Sequence, residues 1–436
     1  MRYVSTNQKS APVSLKEAVN RCVADDGGMF MPAELPVLPR AYFNNIGDMS
    51  LREIAFVVAN SFFGQDINPV ALKAIVDDSF CNDIPVVRLG DDKYLLELFH
   101  GPTLTFKDYG ARFMARLMRA IDTNSNCHRN VLVATTGNTG AAAANGLFRL
   151  EGISVSVLYP KGQLTRSQLA QLTALGENIH PLEIAGTVED CKRLVQTAIA
   201  DPSLDSYNLT GANSINIARL IPQITFALYG YSRLKALGVA GADSAIYSIP
   251  AGNMSNVVAA AMAKRMGCPM GRIIAATAAN SQVAPLLRGE DRNTGRPLHT
   301  YAPSIDMSYP SGWPRLTLLY GGDTEAMQRD IIAPDGIDND TIAVTINSLR
   351  SDHRYTIDPH GAVAYASAVT VASTAPKVIY ATGHPAKQLD VMTRITGSSI
   401  EMPHQLNRFM SARRSSAIIP PTLPALKKHL LTINSH

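Results

Sequence analysis

Hydrophobic residues recur at helical spacing along the first part of the chain. Ser14 is followed three residues later by Glu17, which is the pattern of a capping box, and apolar residues then fall on one helical face. The same arrangement recurs at Ser50 and Glu53 ahead of a second apolar stripe. The pattern therefore predicts that residues 1–90 form a mostly α-helical unit.

From about residue 130 the pattern changes to short β-branched runs, each followed by a turn and an amphipathic segment of helix length. This alternation is typical of parallel βαβ units and predicts an α/β fold. Residues 285–340 have weak periodicity and receive no assignment. The predicted strands are 131–135, 153–159, 179–184, 206–210, 245–249, 272–276 and 377–382.

The composition is that of a well-buried protein with little excess charge. Among 436 residues, 40 lysines and arginines stand against 36 aspartates and glutamates, a formal charge of +4. Nucleic acids and acidic membrane surfaces attract clustered basic residues, so we expect neither as a partner. We also expect no membrane-spanning helix and no secretory signal, because no apolar stretch has the required pattern.

The five cysteines are far apart, include no Cys-x-x-Cys pair and have no histidine nearby at zinc-ligand spacing. We therefore expect reduced thiols in a cytoplasmic protein, and no metal site. The cysteines are Cys22, Cys81, Cys127, Cys191 and Cys268.

Two glycine-bearing loops each follow a predicted strand and precede a predicted helix. They are TTGNTG at 135–140 and AGNMSN at 251–256. Free backbone N–H groups at a helix N-terminus bind carboxylate or phosphate. One such loop alone is most simply a capped turn. Two of them at the carboxyl ends of strands in an α/β fold indicate a ligand site, because ligands bind there in such folds.

Lys107 lies among Leu104, Phe106 and Tyr109, ahead of a predicted helix that Thr105 or Asp108 is expected to cap. A lysine in such surroundings is usually a surface residue whose stem covers apolar neighbours. If its amine is desolvated, its pKa falls and it becomes a nucleophile. The residues alone leave both interpretations open.

Motifs of several other chemistries are absent from the sequence. It contains no Gly-x-x-x-x-Gly-Lys-Ser/Thr, no Gly-x-Gly-x-x-Gly, no Gly-x-Ser-x-Gly and no His-Glu-x-x-His. Phosphoryl-transfer loops, nicotinamide binding, the nucleophile turns of hydrolases and zinc protease sites therefore lose their best support.

The segment from Leu98 to Met114, LFHGPTLTFKDYGARFM, resembles a motif of threonine synthases in which the lysine at the position of Lys107 binds pyridoxal phosphate (PLP). The resemblance extends in ordered segments through almost the whole chain. These segments are GGMFMP (27–32), TTGNTGAA (135–142), VLYPKG (157–162), ANSINIARL (212–220), IPAGNMSN (249–256), DPHGAVAY (358–365) and ATGHPAK (381–387).

The resemblance implies a fold-type II PLP enzyme of the tryptophan synthase β type, with two α/β domains of parallel sheets after the α-helical unit. Residues 91–240 would form the smaller domain, with Lys107 and the 135–140 loop. Residues 241–436 would form the larger PLP-binding domain, with the 251–256 loop. The resemblance also implies a lyase that converts O-phospho-L-homoserine and water into L-threonine and phosphate.

The cofactor contacts follow from the same resemblance. Lys107 would bind PLP covalently and then move protons at the α- and β-carbons of the substrate. Thr382 would hydrogen-bond the pyridine nitrogen, and Asn138 would lie near the phenolic oxygen. The cofactor phosphate would be bound by backbone N–H groups of Gly252, Asn253, Met254, Ser255 and Asn256.

The substrate contacts are implied in the same way. Asn213 and Arg219 would bind the substrate phosphate, for which a guanidinium offers bidentate geometry. For this pair the residues leave a helix cap and a surface arginine as an alternative. A monomer or a homodimer is expected. The substrate carboxylate would be bound by Thr136, Gly137, Asn138 and Thr139.

Both loops depart from the usual family pattern. Asn138 stands where an aspartate is usual, and losing that charge should not weaken binding of an anionic carboxylate. Met254 and Ser255 stand where phenylalanine and glycine are usual. If the position of Ser255 requires a positive φ, its side chain costs about 1 kcal/mol of strain and puts cofactor affinity or substrate choice in doubt.

Two other functions are compatible with the same motifs. One is a different fold-type II PLP lyase, either similar to serine or threonine dehydratases or acting on another phosphorylated amino acid. The other is a catalytically silent homologue that binds ligands or partners, against which the intact Lys107 argues.

Overall fold

The computed structural model describes residues 1–122, 128–279, 281–290, 299–307 and 309–434. Its strands are β1 (Tyr3–Ser5), β2 (Phe30–Pro32), β3 (Val86–Leu89), β4 (Lys93–Glu97), β5 (Arg129–Ala134), β6 (Ile153–Pro160), β7 (Ile179–Ile184), β8 (Leu209–Gly211), β9 (Ile246–Pro250), β10 (Ile273–Ala276), β11 (Ile331–Ile332), β12 (Lys377–Ala381) and β13 (Ala417–Ile419).

The α-helices surround and connect these strands. They are α1 (Leu15–Arg21), α2 (Arg40–Asn45), α3 (Leu51–Phe63), α4 (Pro69–Ser79), α5 (Lys107–Ile121), α6 (Asn138–Leu147), α7 (Arg166–Thr173), α8 (Val188–Ile199), α9 (Ile217–Leu220), α10 (Ile224–Ala236), α11 (Ser255–Arg265), α12 (Val283–Leu287), α13 (Trp313–Leu319), α14 (Thr324–Asp330), α15 (Asn339–His353), α16 (Pro359–Thr370), α17 (Leu389–Thr396), α18 (His404–Ser411) and α19 (Leu423–Asn434).

The first large sheet has five parallel strands in the order β13-β7-β6-β5-β8. β5, β6 and β7 confirm the predicted strands at 131–135, 153–159 and 179–184 to within two residues at each end. The predicted strand at 206–210 is confirmed only in its last part. Residues 202–207 form a 3-10 helix that begins at a proline, so strand pairing starts at β8.

The second large sheet has six strands in the order β11-β10-β9-β12-β4-β3. Its pairs are parallel except for β3 and β4, which form an antiparallel hairpin at one edge. β9, β10 and β12 confirm the predicted strands at 245–249, 272–276 and 377–382, each within one residue. The α/β class is therefore confirmed.

The two sheets do not divide the chain at the boundaries predicted from the sequence. β4 pairs in parallel with β12, so the six-stranded sheet draws strands from both sides of residue 240. β13, near the end of the chain, pairs with β7 in the five-stranded sheet. Local periodicity indicates that a strand forms but carries no information about its partner. The ranges 1–90, 91–240 and 241–436 therefore describe the order of segments and do not separate the strands of the two sheets.

The first part of the chain is mostly helical, as predicted. α1 and α3 begin with the two capping boxes expected at Ser14 and Ser50. The short antiparallel pair β1 and β2 was not predicted. Phe63 of α3 packs against Phe113 of α5, with ring centroids 5.5 Å apart. This contact joins the N-terminal helices to the helix that carries Lys107.

Two further expectations can be checked on the residues that the structure describes. No helix in them is long and apolar enough to cross a membrane. The described cysteines are free thiols, and three of them are buried. Cys127 lies outside the described residues. The free cysteines are Cys22, Cys81, Cys191 and Cys268.

Candidate active site

One cavity is lined by the loops that follow β5, β9 and β12 and by the first turn of α5. The sequence-predicted site residues that line it are Lys107, Asn138, Thr139, Arg219, Gly252, Asn253, Met254, Ser255, Asn256 and Thr382. Thr136, Gly137 and Asn213 do not line it. The structure therefore brings together residues that are as many as 275 positions apart in the sequence.

Lys107 is the first residue of α5, and its amine lies 4.3 Å from the centre of the Phe106 ring. Burial and the nearby Arg219 guanidinium lower the pKa of Lys107 to about 8, whereas the carboxylates of Asp358 and Asp108 act in the opposite direction. A lysine that snorkels from a surface would keep its ordinary pKa. The desolvated amine therefore favours the nucleophile interpretation.

The turn before Lys107 is held against the segment that follows β12. The backbone N–H of Phe106 donates to the Thr382 carbonyl at 3.1 Å, and the N–H of His384 donates to the Leu104 carbonyl at 3.1 Å. These bonds place Lys107 beside Thr382. Among the described residues no side chain caps α5, so the expectation that Thr105 or Asp108 caps it is wrong. Asp108 instead accepts hydrogen bonds from the N–H and hydroxyl of Thr103, at 2.9 and 2.5 Å.

The loop after β9 forms an uncapped helix N-terminus. Met254 has a φ of 61°, in the left-handed region, and α11 begins at Ser255 without a side-chain cap. The first backbone N–H groups of a helix have no partner inside it, so they are available to an anion. The positive φ lies at Met254, which ends the loop, and Ser255 is already helical. The strain considered for Ser255 therefore falls on Met254.

This loop is held closely by segments from the part of the chain that received no assignment. A Cβ on Gly252 would lie 2.8 Å from the Ser304 carbonyl oxygen and 2.9 Å from the Ile305 Cα. A Cβ on Gly312 would lie 2.4 Å from the Asn253 carbonyl oxygen. Only glycine fits at these two close approaches, and the loop is fixed as a result.

The loop after β5 is built differently. The Thr135 hydroxyl accepts hydrogen bonds from the N–H groups of Gly137 and Gly140, at 2.9 and 2.8 Å. Gly137 has a φ of 127° and directly precedes α6, which begins at Asn138. The Thr136 side chain is exposed, which explains why only the last two residues of the predicted carboxylate site line the cavity.

Arg219 lies on α9 and is 3% exposed. Its Nη1 donates to the Ala212 carbonyl at 2.6 Å, and burial lowers its pKa to about 10 while Asp108 acts in the opposite direction. The surface-arginine alternative is therefore wrong. Asn213 donates to the Ala134 carbonyl at 3.2 Å, and its neighbour Ser214 lines the cavity instead.

Several residues that line the cavity had no predicted role. Asp358 and His360 are both buried, and the Asp358 carboxylate accepts from His360 Nδ1 at 2.7 Å. His360 Nε2 accepts from the Ser304 N–H at 3.2 Å, so the proton lies on Nδ1. Lys387 and Gln388 also line the cavity. The motifs DPHGAVAY and ATGHPAK contain three of these four residues, so the sequence marks their segments but not their place in the cavity.

The residues present fit PLP. An amine with a lowered pKa and an uncapped helix N-terminus share one cavity, as an aldehyde with a phosphate requires. Buried polar atoms of the lining also lack partners within the described residues, which indicates that a polar ligand completes them. These atoms are Thr105 Oγ1, Asn138 Oδ1, Gln223 Oε1, Asn256 Oδ1 and Gln388 Oε1.

Comparison with known proteins agrees with this site. Residues 2–80 match the family model for the threonine synthase N terminus, and residues 85–381 match that for pyridoxal-phosphate dependent enzymes. The threonine synthase of Serratia marcescens is 30% identical, over 99% of each chain. The crystal structure of Escherichia coli threonine synthase superimposes with a TM-score of 0.91 at 29% identity, covering all of both chains.

The PLP-bound threonine synthase from Brucella melitensis has the same TM-score, 0.91, at 28% identity, covering 99% of this chain and 98% of that one. The match to the pyridoxal-phosphate family model includes the turn of Lys107, both glycine-bearing loops and β12. The chain belongs to the threonine synthase family of pyridoxal-phosphate-dependent lyases.

Proposed function

We propose that this chain converts O-phospho-L-homoserine and water into L-threonine and phosphate, using PLP bound at Lys107. The observation that carries the proposal is the convergence of the N-termini of α5, α6 and α11 at one cavity that contains the desolvated Lys107 amine; none of the three has a cap from its own N-cap side chain, although the Thr135 hydroxyl accepts from one N–H of α6. Such ends favour anions, and the reaction needs places for two phosphates and one carboxylate.

The cofactor would be held by Lys107, by the N–H groups of the 252–256 loop and by the Thr382 hydroxyl at the pyridine nitrogen. Asn138 would lie near the phenolic oxygen, since it lines the same cavity. When bound, PLP serves as an electron sink for deprotonation of the substrate. A neutral hydroxyl at the pyridine nitrogen, rather than a carboxylate, leaves that nitrogen largely unprotonated.

The substrate would be oriented by its two anionic groups. Its carboxylate would bind at Asn138 and Thr139, and its phosphate at Arg219, all of which line the cavity. Thr136, Gly137 and Asn213 do not line it and have no contact in this proposal. The buried position of Arg219 supports this assignment, because a desolvated guanidinium gains most from a charged partner. With a pKa of about 8, the Lys107 amine can both accept and return a proton near neutral pH.

The proposal also covers the cellular compartment and the oligomeric state of the enzyme. We place it in the cytoplasm, which the free thiols among the described cysteines support, and we expect a monomer or a homodimer. Light scattering of the purified protein measures its mass in solution. A mass above that of a dimer would contradict this part of the proposal without affecting the reaction.

Lys107→Ala tests the reaction directly. We expect the visible absorbance of bound PLP and the release of phosphate to be abolished, because the proposed covalent bond to the PLP aldehyde forms at this amine. The thermal midpoint should stay close to that of the wild type. Lys73→Ala, at a side chain that is 67% exposed, is the matched control and should keep both signals.

Two results would contradict the proposal. One is a borohydride-reduced PLP adduct that peptide mapping places at a lysine other than Lys107. The other is ketoacid release from serine or threonine as the main activity, without conversion of O-phospho-L-homoserine, which would favour a dehydratase-like lyase.

A further inference from the structure

A second buried amine lines the cavity. Lys387 is 2% exposed and belongs to a 3-10 helix, Pro385–Gln388, that follows β12. Its amine donates a hydrogen bond to the side-chain oxygen of Gln171, a residue of α7 that is 1% exposed. Gln171 is held in turn, because its amide nitrogen donates to the Thr103 carbonyl at 3.3 Å. The Lys387 amine is therefore fixed beside the site by neutral groups.

Lys387 has no charged partner among the described residues. Asp108 is the nearest candidate, but both of its carboxylate oxygens accept hydrogen bonds from Thr103. Burial and the positive charge of Lys107 lower the pKa of Lys387 to about 7, against the opposing effect of Asp108. A buried ammonium without an ion pair is costly, so such groups are normally paired.

Another buried lysine shows what an ordinary structural arrangement looks like. Lys377, at the start of β12, is 5% exposed, and its amine lies 3.4 Å from a carboxylate oxygen of Asp92. Its charge is therefore neutralised inside the protein. Lys387 differs because it lies against the cavity, and a ligand there can supply the missing negative charge.

We propose that Lys387 binds the phosphate group of the substrate and retains it as the product phosphate. This inference rests on the proposed function. Phosphate is the ligand chemistry that matches, because the Gln171 hydrogen bond leaves two of the three ammonium donors free. The cofactor phosphate is the other possible source, but the uncapped N-terminus of α11 already provides its site.

The surroundings of Lys387 support the substrate phosphate over the cofactor phosphate. The side chains whose hydrogen bonds or charges act on its amine belong to α5 and α7, and none belongs to the 252–256 loop. One of these side chains is Lys107, whose amine must face the reacting carbons of the substrate. Lys387 therefore lies on the side of the cavity where the reaction takes place.

Lys387→Met tests the proposal. We expect the Kd of the PLP-loaded enzyme for inorganic phosphate, measured by calorimetry, to rise about tenfold or more, since a charge-assisted hydrogen bond is lost. The Kd for PLP, from absorbance titration of the apoprotein, should change less than about twofold. Lys377→Met is the matched control, because it removes a buried lysine away from the cavity, and its phosphate Kd should be unchanged.

Gln171→Glu provides an independent second variant. A carboxylate at this position would pair with Lys387 and compete with phosphate, so we expect a similar loss of phosphate affinity with Lys387 still present. An unchanged phosphate Kd in either folded variant overturns the proposal. So does a loss of PLP affinity as large as the loss of phosphate affinity. Lys387-dependent phosphate binding without turnover of O-phospho-L-homoserine would refute the proposed reaction and leave this site standing.

Discussion

The two glycine-bearing loops occupy equivalent places in their sheets but are built in different ways. The loop after β9 has all of its residues 252–256 on the cavity and is held closely by backbone atoms of residues 304–305 and 312. The loop after β5 is held by side chains instead: the Thr135 hydroxyl accepts from two of its N–H groups, and Gln168 packs closely against Gly137, where an added Cβ would lie 2.5 Å from Gln168 Cδ. Of its predicted carboxylate-site residues, Asn138 and Thr139 line the cavity.

This difference matches the ligands that the two loops are proposed to bind. A resident cofactor stays through every turnover, so its phosphate site gains from a rigid backbone fixed before binding. A substrate enters and leaves each time, and a loop held by side chains rather than by backbone can adjust without unfolding its neighbours. Because the loops differ in what fixes them, substitutions behind each loop should affect different ligands.

Gly252→Ala is expected to have the largest effect. The added Cβ would meet backbone atoms of Ser304 and Ile305, which cannot move aside as the end of a flexible side chain can. We expect the Kd for PLP to rise about 10- to 100-fold, as measured by absorbance titration of the apoprotein. Gly211→Ala is the control, because its nearest neighbour would lie 3.7 Å from the added Cβ. Wild-type PLP affinity in Gly252→Ala would show that the loop is not rigid.

Thr135→Val tests the other loop with a smaller expected effect. The change keeps the shape of the side chain but removes the acceptor for the N–H groups of Gly137 and Gly140. We expect the KM for O-phospho-L-homoserine to rise about fivefold while the Kd for PLP changes less than about twofold. Thr173→Val is the control, since the Thr173 hydroxyl donates only to a carbonyl of its own helix. Equal effects on both ligands would remove the distinction between the loops.

The sequence predicts both loops but not the contacts that make them different. Each loop follows a strand that the β-branched pattern indicates, and the glycines mark the turns. The backbone atoms that contact this loop belong to residues near 304 and 312. That region is rich in glycine and proline, so the hydrophobic periodicity there predicts no element. Thr136 shows the reverse case, because the motif does not reveal that its side chain is exposed.

Long-range pairing limits prediction in the same way elsewhere in the fold. The strand β4 lies beside β12 although Lys93 and its partner Lys377 are 284 positions apart in the sequence, and no local pattern encodes that choice. Lys107 could be identified because a dense local motif surrounds it. Asp358, His360 and Lys387 reach the same cavity only through the sheet order, so their place in the site becomes visible only in the structure.

Arg219→Met gives the smallest expected effect, and it tests whether Lys107 responds to charge independently of either loop. The Arg219 guanidinium disfavours the protonated amine, so removing it raises the pKa of Lys107 above its value of about 8. At pH 7 roughly one-tenth of the wild-type amine is neutral, and a higher pKa in the variant lowers that fraction.

PLP reacts with the neutral amine, so the rate at which PLP loads the Arg219→Met apoprotein at pH 7 should fall about threefold, as followed by stopped-flow absorbance. The difference should vanish above about pH 10, where both amines are neutral. Thr135→Val keeps Arg219 and should follow the wild-type pH profile. If Thr135→Val shifted that profile as far as Arg219→Met does, the loop after β5 would act on Lys107 itself, and the separation of cofactor and substrate loops would fail.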